Sequence, residues 1–175
     1  ASVLYNRTEG EVQVAAINTL GVLYIVESGD TIQSIEDLAG KTIYSTGKGT
    51  TPEFALNYLL KQNGLIPDKD VKVEFKSEAT ELAVMLAEAK NAIAVLPQPY
   101  VSIVQMQNEE VRIALNMTEE WDKVSTDSSM VTGVLLVRKD FAQSNQKALA
   151  EFLEEYKAST EYINKNVAEG ATLVE

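Results

Sequence analysis

One stretch, Thr42–Gly64, restricts the fold of this chain more than any other. Thr42-Ile43-Tyr44-Ser45-Thr46 is β-branched and aromatic, the composition of a strand. Gly47-Lys48-Gly49 follows, and two glycines around one residue let the backbone take positive φ and approach another group closely. Thr50-Thr51-Pro52-Glu53 then opens a helix. Thr50 and Glu53 have the spacing of a capping box, whereas Pro52 at the first helical position would make Thr51 the cap. Leu56, Leu59 and Leu60 form an apolar stripe, and Gly64 after Asn63 is a left-handed stop. A strand feeding a helix through glycines leaves N–H groups open at the helix start, where an anionic or strongly polar group is favoured. An ordinary βα turn has the same signature.

The pattern continues downstream. Val71–Phe75 alternates and reads as a strand with one wet face. A helix capped by Ser77 or Thr80 carries Leu82, Met85, Leu86 and Ala89 on one side. Ala92–Leu96 is continuously apolar, as in a central strand buried on both faces. Pro97-Gln98-Pro99-Tyr100 closes it, a helix covers Val101–Gln107, and Val111–Leu115 is a further strand. Alternation of this kind means βαβ units around a mostly parallel sheet. The expected class is α/β, with Thr42–Thr46, Val71–Phe75, Ala92–Leu96 and Val111–Leu115 in one sheet and the first three parallel.

The flanks are less regular. Ala1–Tyr5 reads as a helix end, and Val12–Ile17 as a largely buried strand interrupted by Asn18–Gly21. Val22–Val26 is a second apolar run, giving either a hairpin or one long crossing strand. Ser34–Gly40 reads as a short capped helix, and Thr118–Val124 as a helix holding the only tryptophan, Trp121. Val131–Val137 is a strand with a buried run at Val134–Val137, and Asp140–Asn145 a turn. Leu149, Phe152, Leu153, Tyr156 and Ile163 line a long helix to about Asn166, ahead of a weakly helical tail to Glu175.

Composition excludes several chemistries. The 175 residues include no cysteine and no histidine, which removes disulfides, thiolate nucleophiles and Ser-His-Asp catalysis. A net charge of -11 argues against nucleic acid as a partner. Gly40-Lys41-Thr42 imitates the end of a P-loop, but Ile35 stands where the first glycine belongs and a strand follows. Glu119, Glu120 and Asp122 do not have EF-hand spacing. Neither a metal nor a cofactor is expected.

In open parallel sheets, ligands sit beyond the carboxyl ends of the strands. That rule selects the loops Thr46–Thr51, Lys76–Thr80 and Pro97–Tyr100. Their candidate ligand groups are Gly47, Gly49, Thr50, Thr51, Ser77, Glu78, Thr80, Gln98 and Tyr100. Donors outnumber acceptors in this set, which suits a carboxylate, a sulfonate or another electron-rich small molecule.

Several segments occur in a telling order: Asn18-Thr19-Leu20-Gly21-Val22-Leu23-Tyr24, Asp37–Ile43, Gly47–Glu53, Asn63-Gly64-Leu65, Ser77–Glu81 and Pro97–Tyr100. Together they resemble the solute-binding proteins of ABC transporters, in the branch related to sulfonate-, nitrate- and thiamine-precursor-binding proteins. The resemblance implies a periplasmic-binding-protein type II fold: three-layer βαβ lobes that trap a ligand between them. Lobe two would cover 24–130; 1–23 and 131–175 would form a partial lobe one with the crossings, where Asn18 and Thr19 join the candidate ligand residues. Such proteins begin with a further βα stretch and continue past the residue matching Glu175, so the resemblance is to a fragment. Exposed apolar faces on Val12–Ile17 and Leu149–Ile163 would then favour self-association. It also implies a small-molecule ligand, ABC permease partners and an extracytoplasmic place, periplasmic or as a cell-surface lipoprotein, with no catalysis. The alternatives are an enzyme like the thiamine-pyrimidine synthases, which rely on a histidine, and a ligand-sensing regulatory domain.

Overall fold

The structure, a computed structural model, describes residues 1–174. It contains two compact units, Ala1–Asn18 with Gly133–Glu175, and Thr19–Thr132. The chain begins with α1 (Ser2–Arg7) and β1 (Val12–Leu20), and passes into the second unit within β1. The expected interruption at Asn18–Gly21 is absent up to Leu20. The break is at Gly21 and Val22, both with positive φ, +81° and +69°. The β-branched Val22 is strained there. The Gly21 N–H donates to the Met130 carbonyl and the Val22 carbonyl accepts from Gln98 N–H, which holds the turn.

The second unit is built on β2 (Leu23–Ser28), β3 (Thr42–Ser45), α2 (Thr51–Gln62), β4 (Lys72–Phe75) and α3 (Ala79–Glu88), followed by β5 (Ile93–Pro97), α4 (Tyr100–Gln107), β6 (Val111–Asn116) and α5 (Met117–Val124). Its sheet has the order β4-β3-β5-β2-β6. The four expected strands lie in this one sheet, and β3 runs parallel to both β4 and β5. The sequence reading left out β2, which inserts between β5 and β6 and is antiparallel to both. The apolar run that suggested a hairpin or a crossing is therefore a central strand.

Alternation along the strands divides the core into two layers of packing. Ile25, Ile43, Ile93 and Val95 meet Leu56, Leu59 and Leu60 of α2 on one face. Val26, Ala94 and Leu96 meet Leu82 and Leu86 of α3 and Val101 and Val104 of α4 on the other. The result is the expected three-layer α/β arrangement. Ile35–Leu38 is a 3-10 turn closed by a Ser34–Asp37 capping box. The cap of α3 is Glu78, without a side-chain bond, and neither Ser77 nor Thr80 takes that role.

At one end of the sheet Glu27 is only 1% exposed yet charged. Its Oε1 accepts from the Thr31 N–H and hydroxyl, and its Oε2 from Ile32 N–H and from Arg112 Nη2 at 2.9 Å. Arg112 also donates to the carbonyls of Gly29 and Ile32. Burial pushes the Glu27 carboxyl up. The Thr31 hydroxyl, the two backbone N–H groups and Arg112 outweigh it and hold the group below its ordinary value.

The first unit resumes with β7 (Val131–Arg138), which pairs with β1 in a two-stranded sheet and runs into α6 (Lys139–Ser144), α7 (Gln146–Lys165) and α8 (Val167–Val174). Three expectations are corrected here. β1 is mostly exposed, with Ile17 at 57%, because a two-stranded ribbon has little to cover it. Val134–Val137 is half-buried for the same reason. Residues 140–144 are helical, with the Asp140 carboxylate accepting from Phe141 N–H, where a turn was expected. The stripe of α7 contains no fully buried residue. Glu175 lies outside the described residues, and among those no helix is long and apolar enough to cross a membrane.

Replacing Arg112 by methionine keeps an apolar stem but strands the Glu27 charge. The expected cost is about 3 kcal/mol, the low end for breaking a buried pair, because the guanidinium is partly exposed. A lowered urea midpoint checks it. Since the folded form of Glu27 binds its proton less readily than the unfolded form, its stabilisation is complete above the ordinary carboxylate range. It fades as pH falls through the lowered folded value. The stability gap between the parent and Glu27→Gln should therefore narrow on acidification below the ordinary carboxylate value.

Candidate functional site

The carboxyl ends of β3 and β5 lie side by side because those strands pair directly. The chain leaves β3 through Thr46–Thr50 into α2 and leaves β5 at Pro97, and between these exits is a cleft of about 240 Å³. Thr46, Thr50, Thr51 and Thr132 supply its polar lining, and Leu23, Val95 and Pro97 its apolar floor. No charged side chain lines it.

Local chemistry sets the loop. Thr50 is the cap residue of α2, and its hydroxyl donates to the Gly47 carbonyl at 2.5 Å. Glu53 reaches past the expected box partner to accept from Gly49 N–H at 2.5 Å. The expected box between Thr50 and Glu53 is thus replaced by two bonds into the glycine loop. The expected anion seat also changes, since the protein's own carboxylate occupies the Gly49 N–H. Thr132 donates to the Thr19 carbonyl at 3.3 Å. The hydroxyls of Thr46 and Thr51 make no hydrogen bond among the described residues, so they are the groups in the lining open to a ligand.

The other residues picked from sequence are placed elsewhere. Gly47 and Gly49 shape the loop without lining the cleft. Gln98 Oε1 accepts from the Ser102 hydroxyl and N–H, closing the start of α4. Tyr100 packs against the α3 and α4 side of the core. Ser77, Glu78 and Thr80 are exposed around the start of α3, after the edge strand β4, one strand further from β5. Asn18 and Thr19 belong to β1. Sequence reasoning missed Thr132, Leu23 and Val95 as cleft residues. Thr132 had a visible signal, a hydroxyl at the head of an apolar strand.

Beyond Thr51 a second groove of about 430 Å³ runs along α2, with Phe54, Tyr58, Trp121, Ser129 and Met130 in its walls. Among the described residues no group of three Asp or Glu side chains could hold a metal ion.

Residues 9–169 match the family described as NMT1/THI5 like. The chain belongs to that family. The structure is similar to the periplasmic aliphatic sulphonate binding protein SsuA from Escherichia coli, with 14% identity and a TM-score of 0.75 over 96% of this chain and 55% of that one. It is also similar to the alkanesulfonate-binding protein SsuA from Xanthomonas axonopodis pv. citri bound to MOPS, with 18% identity and a TM-score of 0.66 over 95% and 55%. For ArgBP from T. maritima the values are 20% and 0.56 over 91% and 63%. The NMT1/THI5-like chain therefore spans about half the length of the first two solved proteins. These likenesses establish its fold as that of periplasmic binding proteins. No curated protein matches the sequence.

In this NMT1/THI5-like chain the two loop glycines should respond differently to alanine. At Gly47, φ is +70° and a Cβ would meet Thr50 Oγ1 at 2.5 Å, whereas at Gly49, φ is +76° with open space around it. Gly49→Ala should cost about 1 kcal/mol of left-handed strain, and Gly47→Ala about 2 kcal/mol because it also breaks the Thr50 bond. Chemical denaturation of both variants checks the order.

Proposed function

We propose that this chain is the solute-binding part of an ABC importer and captures a small polar or anionic molecule. The observation that carries the reading is the threonine-lined cleft at the carboxyl ends of β3 and β5, beside the first turn of α2. Open α/β sheets hold ligands at this end. The hydroxyls of Thr46 and Thr51 and the start of α2 give it donors, and its apolar floor excludes water from one side. The E. coli and Xanthomonas proteins of the same fold are described as sulphonate- and alkanesulfonate-binding, which supports a solute of that general kind. In this reading the chain works outside the cytoplasm, delivers its ligand to permease subunits and carries out no chemistry. Recognition rests on hydrogen bonds rather than an ion pair, because no charged side chain lines the cleft.

A thermal-shift screen of small anions, amino acids, sulfonates and thiamine precursors tests this. A true ligand at a hundred times its dissociation constant should stabilise the protein by about 2.7 kcal/mol. The Thr46→Val/Thr51→Val variant keeps the shape and removes both open hydroxyls, so the shift should vanish. A shift that persists in that variant removes the cleft from the site.

A further inference from the structure

The groove along α2 is larger than the threonine cleft and shares Thr51 with it, and the cleft's Thr132 directly follows the groove's Val131. Tyr58 and Trp121 pack on each other in a tilted pair, with centroids 4.4 Å apart at an interplanar angle of 33°. Trp121 Nε1 donates to the Ser128 hydroxyl at 3.1 Å, and that oxygen lies 2.6 Å from the Ser125 hydroxyl. The indole is therefore fixed by its polar edge. Phe54 sits off the buried stripe of α2 and is 61% exposed. A phenyl ring there adds nothing to the core. No charged side chain lines the groove. Cleft and groove together have the volume of a small-molecule site, roughly 300–1,000 Å³.

Taking the threonine cleft as the ligand seat, we propose that the ligand is amphipathic. Its compact polar head sits between Thr46 and Thr51, and its planar apolar body lies along Phe54, Tyr58 and Trp121. Thr51, the residue common to both recesses, is the pivot between the two parts. Rings suit the groove because Tyr58 and Trp121, packed on each other with centroids 4.4 Å apart, form one aromatic wall that is in place before any ligand arrives.

Trp121 is the only tryptophan, so its emission reports occupation of the groove directly. The probes are phenethyl alcohol and phenylacetate, against ethanol and acetate as the same heads without a ring. Both phenyl probes should change Trp121 emission saturably and bind about tenfold more tightly than their ringless counterparts by calorimetry. Phe54→Ser, an exposed change that spares the core, should erase most of that advantage. Phenyl probes that bind by calorimetry without altering Trp121 emission, and equally well in Phe54→Ser, overturn the groove and leave the cleft reading standing. Phenyl probes that fail to bind while another compound passes the thermal-shift screen also overturn the groove alone. Failure of every compound in both experiments overturns both.

Discussion

The ion pair between Glu27 and Arg112 joins residues 85 positions apart and is the constraint on which the second unit rests. β2 is the reversed strand in its sheet, wedged between β5 and β6. Arg112 ties β6 to β2 and also reaches the carbonyls of Gly29 and Ile32, so a single guanidinium fixes a strand pair and the loop that leaves it. Desolvating the carboxylate is tolerable because its oxygens are met by three further donors from Thr31 and Ile32. This network lies at the end of β2 that pairs with the start of β5. The cleft is at the other end, where Leu23 is opposite Pro97. Rigidity at one end of the strand therefore places the cleft floor at the other.

The cleft end follows a different economy. Its glycine loop is held from both sides by short bonds, Thr50 to the Gly47 carbonyl and Glu53 to the Gly49 N–H. These bonds consume polar groups that a sequence reading assigns to a ligand. They leave Thr46 and Thr51 as the open hydroxyls, with shape set in advance by residues that do not themselves touch the space. Pre-organisation of this kind lowers the ordering cost of binding.

The sheet was legible where apolar patterning and helix stops agreed. Ala92–Leu96 is buried on both faces because α2 covers one side of the sheet and α3 and α4 the other, and Gly64 ends α2 at φ +76° as its position after Asn63 demands. β2 was not legible as a sheet member, although Leu23–Val26 is as apolar as Ala92–Leu96. Its partners lie far along the chain, and a short polar break before it looks the same for a hairpin, a crossing or a fresh strand. Strand composition alone read Val12–Ile17 as largely buried because it does not say whether a sheet has two strands or five. The resemblance to a fragment implied exposed apolar faces there and on Leu149–Ile163, and Ile17 and Phe152 are indeed exposed. At the cleft, strand order and helix starts pointed to Thr50 and Thr51, which are among its lining residues. The Gln98 carbonyl turns to Ser102 and Tyr100 packs against the core, contacts that residue type alone does not announce. The aromatic groove had a readable trace, since Phe54 stands outside the leucine stripe of its own helix.

The sheet order β4-β3-β5-β2-β6 also has a consequence in time. During synthesis β2 is made first among these strands, yet both of its neighbours come after residue 92. β3 and α2 can dock early, but neither pairs with β2, whose two edges stay open until β5 and β6 have been made. Closing such distant pairs is entropically slow, and an apolar strand waiting with bare edges is the segment most exposed to mispairing. Glu27, a charge set at the end of that waiting strand's apolar run, opposes wrong partners until Arg112 arrives to neutralise it.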